Sequence, residues 1–242
     1  MRGASRRSPW FLGLVRRYAR RTVAGELDGL QVAGLNGARQ EAARRPLILA
    51  ANHVAWWDPF LLVTLDEALG TEAHALMDAA NLDRLRFFSG IGCVPIDPKN
   101  PRAGLRDAAR LLDRPGRTLW IFPQGRLRPA HLRPLAFRGG VRHLARLAPE
   151  AAVVPVAIQY AFGEGRYPAA YAAFGEPLDA AAVGAREGVA ALETEVEGRL
   201  AHIDRHLAGE VPMETLVAGR GGRADEGAGA RFLSALFWRR NG

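Results

Sequence analysis

Short apolar runs and amphipathic stretches alternate along most of the chain, with turn residues between them. The clearest run is Leu47–Ala51, which lies between Pro46 and the polar pair Asn52 and His53 and predicts a buried strand. Similar runs predict strands over residues 73–77, 92–96, 118–122 and 153–158. Amphipathic stretches predict helices over residues 58–68, 81–88, 102–113, 138–147 and 187–207. This alternation predicts one α/β domain with a mostly parallel central sheet and helices on both faces.

The N-terminal stretch over residues 9–24 predicts an amphipathic helix that begins at Pro9. At about 100° per residue, one arc of this helix holds the apolar side chains Trp10, Phe11, Leu14, Val15 and Tyr18. Arg16 and Arg20 fall on the opposite side. Two interpretations stay open. The apolar face enters a membrane interface while the arginines meet lipid phosphates, or the helix packs on its own domain.

Composition narrows the class of protein. The 242 residues are 48% hydrophobic, which suits a compact domain, and the single cysteine, Cys93, excludes an internal disulfide and favours a cytoplasmic compartment. The net charge of +8 is concentrated at the N-terminus, where residues 1–45 hold ten arginines against three acids. Such a patch suits an anionic membrane, an anionic substrate or nucleic acid. No apolar run approaches the ~20 residues that span a bilayer.

The candidate chemistry begins with His53 and Asp58, which lie on either side of a predicted strand-to-helix turn. On a continuous helix the two side chains would point about 140° apart, so they can pair only across a turn. A paired Asp58 would accept the Nδ1 hydrogen of His53, fix the ring tautomer and stabilise the imidazolium that forms on proton abstraction. The alternative is that Asp58 caps the helix and His53 is a solvated loop residue.

Three further motifs follow in order along the chain. The four segments read NHVAWWD at residues 52–58, GCVPID at 92–97, FPQG at 122–125 and VVPV at 153–156. Together they resemble the four blocks of the glycerolipid acyltransferase family, whose typical members are acylglycerolphosphate (lysophosphatidic acid) acyltransferases. FRGG at residues 137–140 is similar to a further segment of that family. The resemblance covers about residues 28–178.

The resemblance implies an O-acyltransferase of phospholipid biosynthesis. Its donor would be acyl-CoA or acyl-carrier protein, its acceptor a lysophospholipid, and the acceptor hydroxyl would attack the thioester directly. His53 would be the general base and Asp58 its partner, with no cofactor and no metal. We expect a peripheral protein on the cytoplasmic face of the membrane, bound to an anionic surface. Nucleic acid is not an expected partner, because the N-terminal arginines accompany an apolar face.

The third block departs from the family pattern. Gln124 stands where the family has Glu, and Leu127 occupies the usual arginine position. The resemblance still predicts an acceptor-binding set of Phe122, Pro123, Gln124, Gly125, Arg126, Arg128 and Lys99, with Arg102 as a further cation. The alternative is that Arg126 and Arg128 belong to a solvated basic loop. In that case the acceptor would be another lipid, such as a hydroxylated amino-acid lipid or a glycosylated isoprenoid.

Trp56 and Trp57 are large apolar side chains beside the proposed base. They either line an acyl channel or pack the core. The predicted organisation is a basic amphipathic membrane-association helix over residues 1–27, an acyltransferase domain over 28–210, a Gly-rich linker over 211–230 and a basic, aromatic segment over 231–242. A non-catalytic lipid-binding protein is a further alternative, disfavoured because His53 and Asp58 are both intact.

Overall fold

The computed structural model describes residues 9–163 and 165–219, without the side chains of residues 86 and 87. The helices are α1 (Pro9–Glu26), α2 (Leu35–Ala42), α3 (Asp58–Leu69), α4 (Ala79–Arg84), α5 (Pro101–Ala109), α6 (Gly140–Leu147), α7 (Ala180–Gly184) and α8 (Gly188–Leu207), with a 3-10 helix over Arg86–Ile91. The strands are β1 (Gly29–Ala33), β2 (Leu47–Ala51), β3 (Glu72–Asp78), β4 (Cys93–Ile96), β5 (Arg117–Ile121), β6 (Ala152–Phe162), β7 (Pro168–Phe174), β8 (Leu178–Asp179) and β9 (Glu214–Ala218).

The strands form one nine-stranded sheet in the order β4-β3-β5-β2-β6-β7-β1-β9, with β8 paired to β6. The strands from β4 to β6 along this order are all parallel. β7 turns back antiparallel to β6, β1 is parallel to β7, and β9 is antiparallel to β1. The predicted α/β fold with a mostly parallel sheet is therefore confirmed. The carboxyl ends of β2, β5 and β6 meet at one edge of the sheet, where parallel sheets of this kind place their sites.

Both faces of the sheet are covered by helices. On one face, α1, α2 and α3 pack over a core that includes Leu47, Leu49 and Val154. On the other face, α5 to α8 pack over alternate residues of the same strands, such as Ile48 and Val153. All five residues of β2 are buried, because this central strand has helices on both sides. The continuous apolar run that predicted the strand follows from that position.

The predicted N-terminal helix is present as α1, and its apolar arc is divided between two environments. Val15 packs against the cluster of α4, the 3-10 helix and β4, while Ala19 and Val23 are buried. α1 also makes extensive contact with α3. Trp10 is 72% exposed and Tyr18 is 57% exposed. The helix therefore packs on its own domain and still presents an aromatic stripe outward.

One predicted boundary is wrong. Residues 211–230 were expected to form a flexible linker, but Glu214–Ala218 form β9. β1 would otherwise leave an open edge, and β9 supplies the hydrogen-bond partners and buries Val217. The backbones meet so closely that a Cβ at Gly29, where φ is 92°, would lie 2.5 Å from the Val217 carbonyl oxygen. The C-terminal segment over 231–242 lies outside the described residues.

Candidate active site

His53 and Asp58 meet in the turn between β2 and α3, as the sequence predicted. The Nδ1 atom of His53 lies 2.6 Å from Oδ2 of Asp58. Asp58 is fully buried, whereas the His53 side chain keeps 23% of its surface exposed. One ring nitrogen is therefore held by Asp58, and Nε2 is the nitrogen that is left for another hydrogen-bond partner.

The Asp58 carboxylate organises the whole turn. Its Oδ2 atom also accepts hydrogen bonds from the backbone N–H of Val54 at 2.8 Å and of Ala55 at 3.2 Å. Trp57, not Asp58, is the N-cap residue of α3. The alternative in which Asp58 serves only as a helix cap is thus not what the structure shows. The side chain points back into the turn, where it fixes both the loop and the imidazole.

Tyr160 is a partner of Asp58 that the sequence analysis missed. Its phenolic O–H donates to Oδ1 of Asp58 at 2.7 Å, from the far end of β6. The predicted strand over residues 153–158 stopped short of this residue, so no local pattern connected Tyr160 with Asp58. Burial raises the pKa of the Tyr160 hydroxyl above its ordinary value, and the negative charge of Asp58 raises it further. The hydroxyl therefore remains a protonated donor.

Asn52, at the end of β2, fixes the start of the turn. Its Nδ2 atom donates to the Ile158 carbonyl at 2.8 Å, and its Oδ1 atom accepts from the Ile158 N–H at 2.7 Å. The side chain is fully buried, so these two bonds satisfy an amide that would otherwise be costly to bury. The side-chain amide thus continues the β2–β6 pairing by one step and holds His53 beside β6.

Gln124 is buried and holds the other side of the turn. It is 2% exposed, its Oε1 atom accepts from the His53 N–H at 2.6 Å, and its Nε2 atom donates to the Leu135 carbonyl at 3.0 Å. A carboxylate can accept the first bond but cannot donate the second. The amide at this position is therefore matched to its two partners, and the structure places Gln124 in the support of the site, not among exposed acceptor-binding groups.

Among the remaining residues of the third block, Phe122 contacts His53, and Pro123 and Gly125 shape the loop. The Phe122 ring stacks on the His53 ring, with 4.1 Å between centroids and 14° between planes. Pro123 is buried, and its carbonyl accepts from the Arg138 N–H at 3.0 Å. Gly125 has a φ of 64°, which favours glycine, and its N–H closes a turn onto the Phe122 carbonyl at 3.0 Å.

The predicted cations lie at different distances from the base. The Arg128 N–H donates to the His53 carbonyl at 2.8 Å, and Arg126 is exposed in the same loop. Arg138, which the prediction did not include, packs on this loop, since a Cβ at Gly125 would lie 3.2 Å from its Nη1 atom. Lys99 is exposed after β4, and β4 lies two strands beyond β5, roughly 10 Å away. The structure therefore brings Arg126, Arg128 and Arg138 together, with Lys99 farther along the same edge.

Comparison with known proteins places this arrangement in a family. An acyltransferase family model matches residues 30–159, which is more than half of the 242 residues. The chain belongs to the acyltransferase family. Its fold is similar to that of the 1-acyl-sn-glycerophosphate (LPA) acyltransferase PlsC from Thermotoga maritima, with a TM-score of 0.58 and 18% sequence identity over 83% of this chain and 81% of that one. No curated protein sequence matches the chain.

The acyltransferase has an apolar pocket that reaches the base. It lies between α1, α3, β3 and the 3-10 helix, and its lining extends to Phe122, the residue that stacks on His53. The lining consists of Leu12, Arg16, Pro59, Leu62, Val63, Asp66, Ala73, His74, Ala75, Leu76, Met77, Phe88, Ile91, Gly92, Cys93 and Phe122. The pocket therefore lies beneath α1, with Phe122 between it and the His53 ring.

The two tryptophans expected in an acyl channel lie outside the lining of this pocket. Trp56 is 67% exposed and packs against Phe60. Trp57 is half-buried, donates from Nε1 to Glu26 at 3.1 Å and packs against Tyr160. Trp57 therefore supports the turn, and Trp56 contributes to the exposed surface beside it. Within residues 9–163 and 165–219, no helix has the length and apolar character needed to cross a bilayer.

Proposed function

We propose that this acyltransferase transfers a fatty acyl group from acyl-CoA or acyl-carrier protein to a hydroxyl of an acylglycerolphosphate, in phospholipid biosynthesis. The observation that carries the proposal is the 2.6 Å contact between His53 Nδ1 and the buried Asp58 carboxylate. That contact commits the Nδ1 hydrogen to Asp58 and makes Nε2 the basic nitrogen. A lipid acceptor agrees with the named activity of the structurally similar Thermotoga maritima protein.

The chemistry needs one base and no acyl-enzyme. His53 Nε2 takes the proton of the acceptor hydroxyl as the oxygen attacks the thioester carbonyl carbon. The C–S bond then breaks, the carbonyl reforms as an ester, and the imidazolium returns its proton to the leaving thiolate. Asp58 stabilises the imidazolium between these two steps and is not itself protonated. The products are the acylated lipid and a free thiol.

The apolar pocket supports a fatty acyl donor. Phe122 contacts both the pocket and the His53 ring, so a chain in the pocket would place its carbonyl end at the base. The side chains around the pocket are mostly aliphatic or aromatic, and each methylene group buried there contributes about 0.8 kcal/mol to binding. We therefore assign the acyl channel to the residues that line this pocket, instead of to Trp56 and Trp57 as the sequence suggested.

The cations around the third block support a phosphorylated acceptor. Arg126, Arg128 and Arg138 belong to one loop region on the carboxyl side of β5, and the Arg128 backbone is bonded to His53 itself. Arginine forms two parallel hydrogen bonds with phosphate oxygens, which fixes the orientation of the acceptor. Leu127 stands at the usual arginine position, and Arg138 beside Gly125 offers a replacement charge. Lys99 is a more distant member of the same positive edge.

A neutral or glycosylated lipid acceptor is the second candidate. It is favoured by Leu127, which is 54% exposed where the family has a cation. An exposed leucine beside the site suits an apolar or sugar-bearing acceptor better than a compact phosphate. The base, its partner and the acyl pocket would serve either acceptor in the same way.

The exposed face of α1 is the proposed site of membrane association. Trp10, Leu14 and Tyr18 lie four residues apart along α1 and are all more than half exposed. Arg17 and Arg21 are exposed on the same side of the helix. Exposed aromatic groups interleaved with arginines suit the boundary between acyl chains and anionic headgroups. We place this surface on the cytoplasmic face of the membrane, as a peripheral contact.

The test is a direct assay of the purified protein. Acyl-CoA and acyl-carrier protein are each incubated with lysophosphatidic acid, a glycosylated isoprenoid or a hydroxylated amino-acid lipid, while free thiol is followed and products are identified by mass spectrometry. His53→Ala should lose roughly 10²–10⁴-fold in turnover, because the general base is gone. His143→Ala, a half-buried histidine on α6, is the control and should retain activity. Wild-type turnover by His53→Ala would overturn the proposal.

A further inference from the structure

The two oxygens of the Asp58 carboxylate have different partners. Oδ2 serves the turn, where it accepts from His53 Nδ1 and from the backbone N–H groups of Val54 and Ala55. Oδ1 accepts from the Tyr160 hydroxyl at 2.7 Å. Asp58 is fully buried, so the negative charge is balanced by this small set of donors and not by water. The Tyr160 bond therefore affects how much of that charge is available to the imidazole.

Tyr160 is positioned by the length and register of β6. The strand runs from Ala152 to Phe162 and extends past the end of β2 at Ala51. Asn52 is bonded to Ile158 in both directions, and Tyr160 lies two residues further along the same face of β6. The residue that anchors the start of the catalytic turn thus also determines which β6 side chain reaches Asp58.

The Tyr160 ring is held in place by the turn itself. It packs against Trp57 with 5.7 Å between ring centroids, and Trp57 is anchored by its bond to Glu26 at the end of α1. Burial and the adjacent Asp58 charge both raise the pKa of the phenol, so it donates throughout the working pH range of the protein. A hydroxyl held this way supplies a constant hydrogen bond and does not exchange protons with substrate.

We propose that Tyr160 is a positioning residue of the acyltransfer site, which acts through Asp58 to set the strength of the Asp58–His53 bond. This inference rests on the proposed function of His53 as general base. Without the phenolic donor, the carboxylate charge concentrates on its other partners, including the Nδ1–H of His53. The imidazolium is then held more tightly. The carboxylate is also freer to rotate, which misaligns the base.

The test is Tyr160→Phe, which keeps the ring against Trp57 and removes only the O–H group. We expect kcat to fall about tenfold, in keeping with the loss of a hydrogen bond to a charged group, while KM for donor and acceptor changes little. The acid side of the pH profile of kcat/KM should move to higher pH. The downfield proton resonance of His53 Nδ1–H should also move, and this readout does not depend on turnover.

Tyr171→Phe is the matched control. Tyr171 is another buried tyrosine; it lies on the neighbouring strand β7, where it pairs with Gln159 of β6. Its side chain belongs to the core on the opposite face of the sheet. We expect Tyr171→Phe to leave kcat, the pH profile and the Nδ1–H resonance unchanged.

Two results would overturn the inference. One is a Tyr160→Phe enzyme with wild-type kcat, pH profile and proton resonance. The other is a fall in activity with an unmoved pH profile and resonance, because that pattern indicates a general loss of structure. His53→Ala distinguishes a failure of the Tyr160 role from a failure of the proposed function. If it is inactive while Tyr160→Phe behaves as wild type, only the role of Tyr160 fails; if it is fully active, the proposed function fails as well.

Discussion

At the scale of single residues, the site depends on buried polar side chains that make hydrogen bonds to defined partners. Asn52, Asp58 and Gln124 are each 2% exposed or less, and each bonds to backbone groups that fix the turn around His53. A buried polar group of this kind costs free energy unless its partners are in place. The position of His53 is therefore set by buried groups around it.

Gln124 provides a prediction at this scale. Gln124→Glu should lower the free energy of unfolding by about 1–3 kcal/mol, because a carboxylate would face the Leu135 carbonyl with no hydrogen to donate. The pKa of a carboxyl buried there would lie above its ordinary value, so the folded state favours the protonated form. Stability is then retained at low pH and lost as pH rises.

Denaturant unfolding at about pH 5 and about pH 8 checks this prediction, with a larger deficit expected at the higher pH. Gln40→Glu, on an exposed position of α2, is the control and should change stability little at either pH. A Gln124→Glu protein as stable as wild type at both values would show that the Leu135 bond has no energetic weight.

At the scale of structural elements, the loop from β5 to α6 joins the base to a group of cations. Its backbone is bonded to His53 through Arg128 and folded on itself through Pro123 and Arg138. Leu127 stands where the family has an arginine. The loop still carries positive charge at Arg126, Arg128 and Arg138.

The variants Arg126→Gln and Arg138→Gln test whether these arginines bind the phosphate of the acceptor. For a phosphorylated acceptor we expect either variant to raise KM about tenfold, through loss of a charge-assisted hydrogen bond. KM for the acyl donor should stay near the wild-type value, because only the acceptor loses a contact. Arg186→Gln, on an exposed turn between α7 and α8, is the control. If both loop variants use a phosphorylated acceptor normally, the neutral or glycosylated acceptor becomes the better candidate.

Helix α1 allows a second prediction at this scale. Because Val15, Ala19 and Val23 pack on the domain, deleting the helix would disturb the fold and confuse the result. Replacing the exposed Trp10, Leu14 and Tyr18 with Ser instead removes the outward stripe and keeps the buried face, at the cost of one edge contact between Tyr18 and Phe60. Binding to phosphatidylglycerol vesicles should weaken at least about tenfold, with little change in Tm.

The matched control for α1 is Leu207→Ser, an exposed leucine at the end of α8 that is 42% accessible. It should bind vesicles as wild type does. Binding by the wild-type protein should fall as salt is raised, since Arg17 and Arg21 flank the stripe. Vesicle binding that survives the triple substitution would place the membrane contact elsewhere.

At the scale of the whole molecule, the sequence predicted the strands and helices that show a clear local pattern of apolar residues. The strand Leu47–Ala51 was predicted to the residue, because a central parallel strand is apolar throughout. β7, which reads PAAYAAF, was missed because its small side chains have no period, and β9 was missed because only Val217 along it is buried. The predicted helix over 81–88 is instead two short elements, α4 and the 3-10 helix.

Within the site, the pairing of His53 with Asp58 was predictable because the two residues are five apart around one turn. The contact between Tyr160 and Asp58 spans 102 positions, and it depends on the register of β6 against β2. Such a contact follows from the packing of the whole sheet, and no local period reveals it. For the same reason the sequence did not reveal the pocket that we propose for the acyl chain, whose lining includes five consecutive residues of β3.

The pocket provides the prediction at this largest scale, because its walls come from segments spread over the first half of the chain. Ala75 lies on β3 between Cys93 and Trp120 of the adjacent strands, and it lines the pocket. Ala75→Phe should fill part of the space that we assign to the acyl chain. Longer chains then lose buried methylene groups, each contributing about 0.8 kcal/mol, or roughly fourfold in kcat/KM.

We therefore expect Ala75→Phe to shift the preferred donor towards shorter acyl chains, measured as kcat/KM over a series of acyl-CoA lengths. Ala190→Phe, on an exposed position of α8, adds the same ring outside the pocket and should leave the chain-length profile unchanged. A profile that drops equally at every length in Ala75→Phe would mean that the ring disturbs the fold and not the chain site. Only a change in the slope of activity against chain length identifies this pocket as the site of acyl-chain-length selectivity.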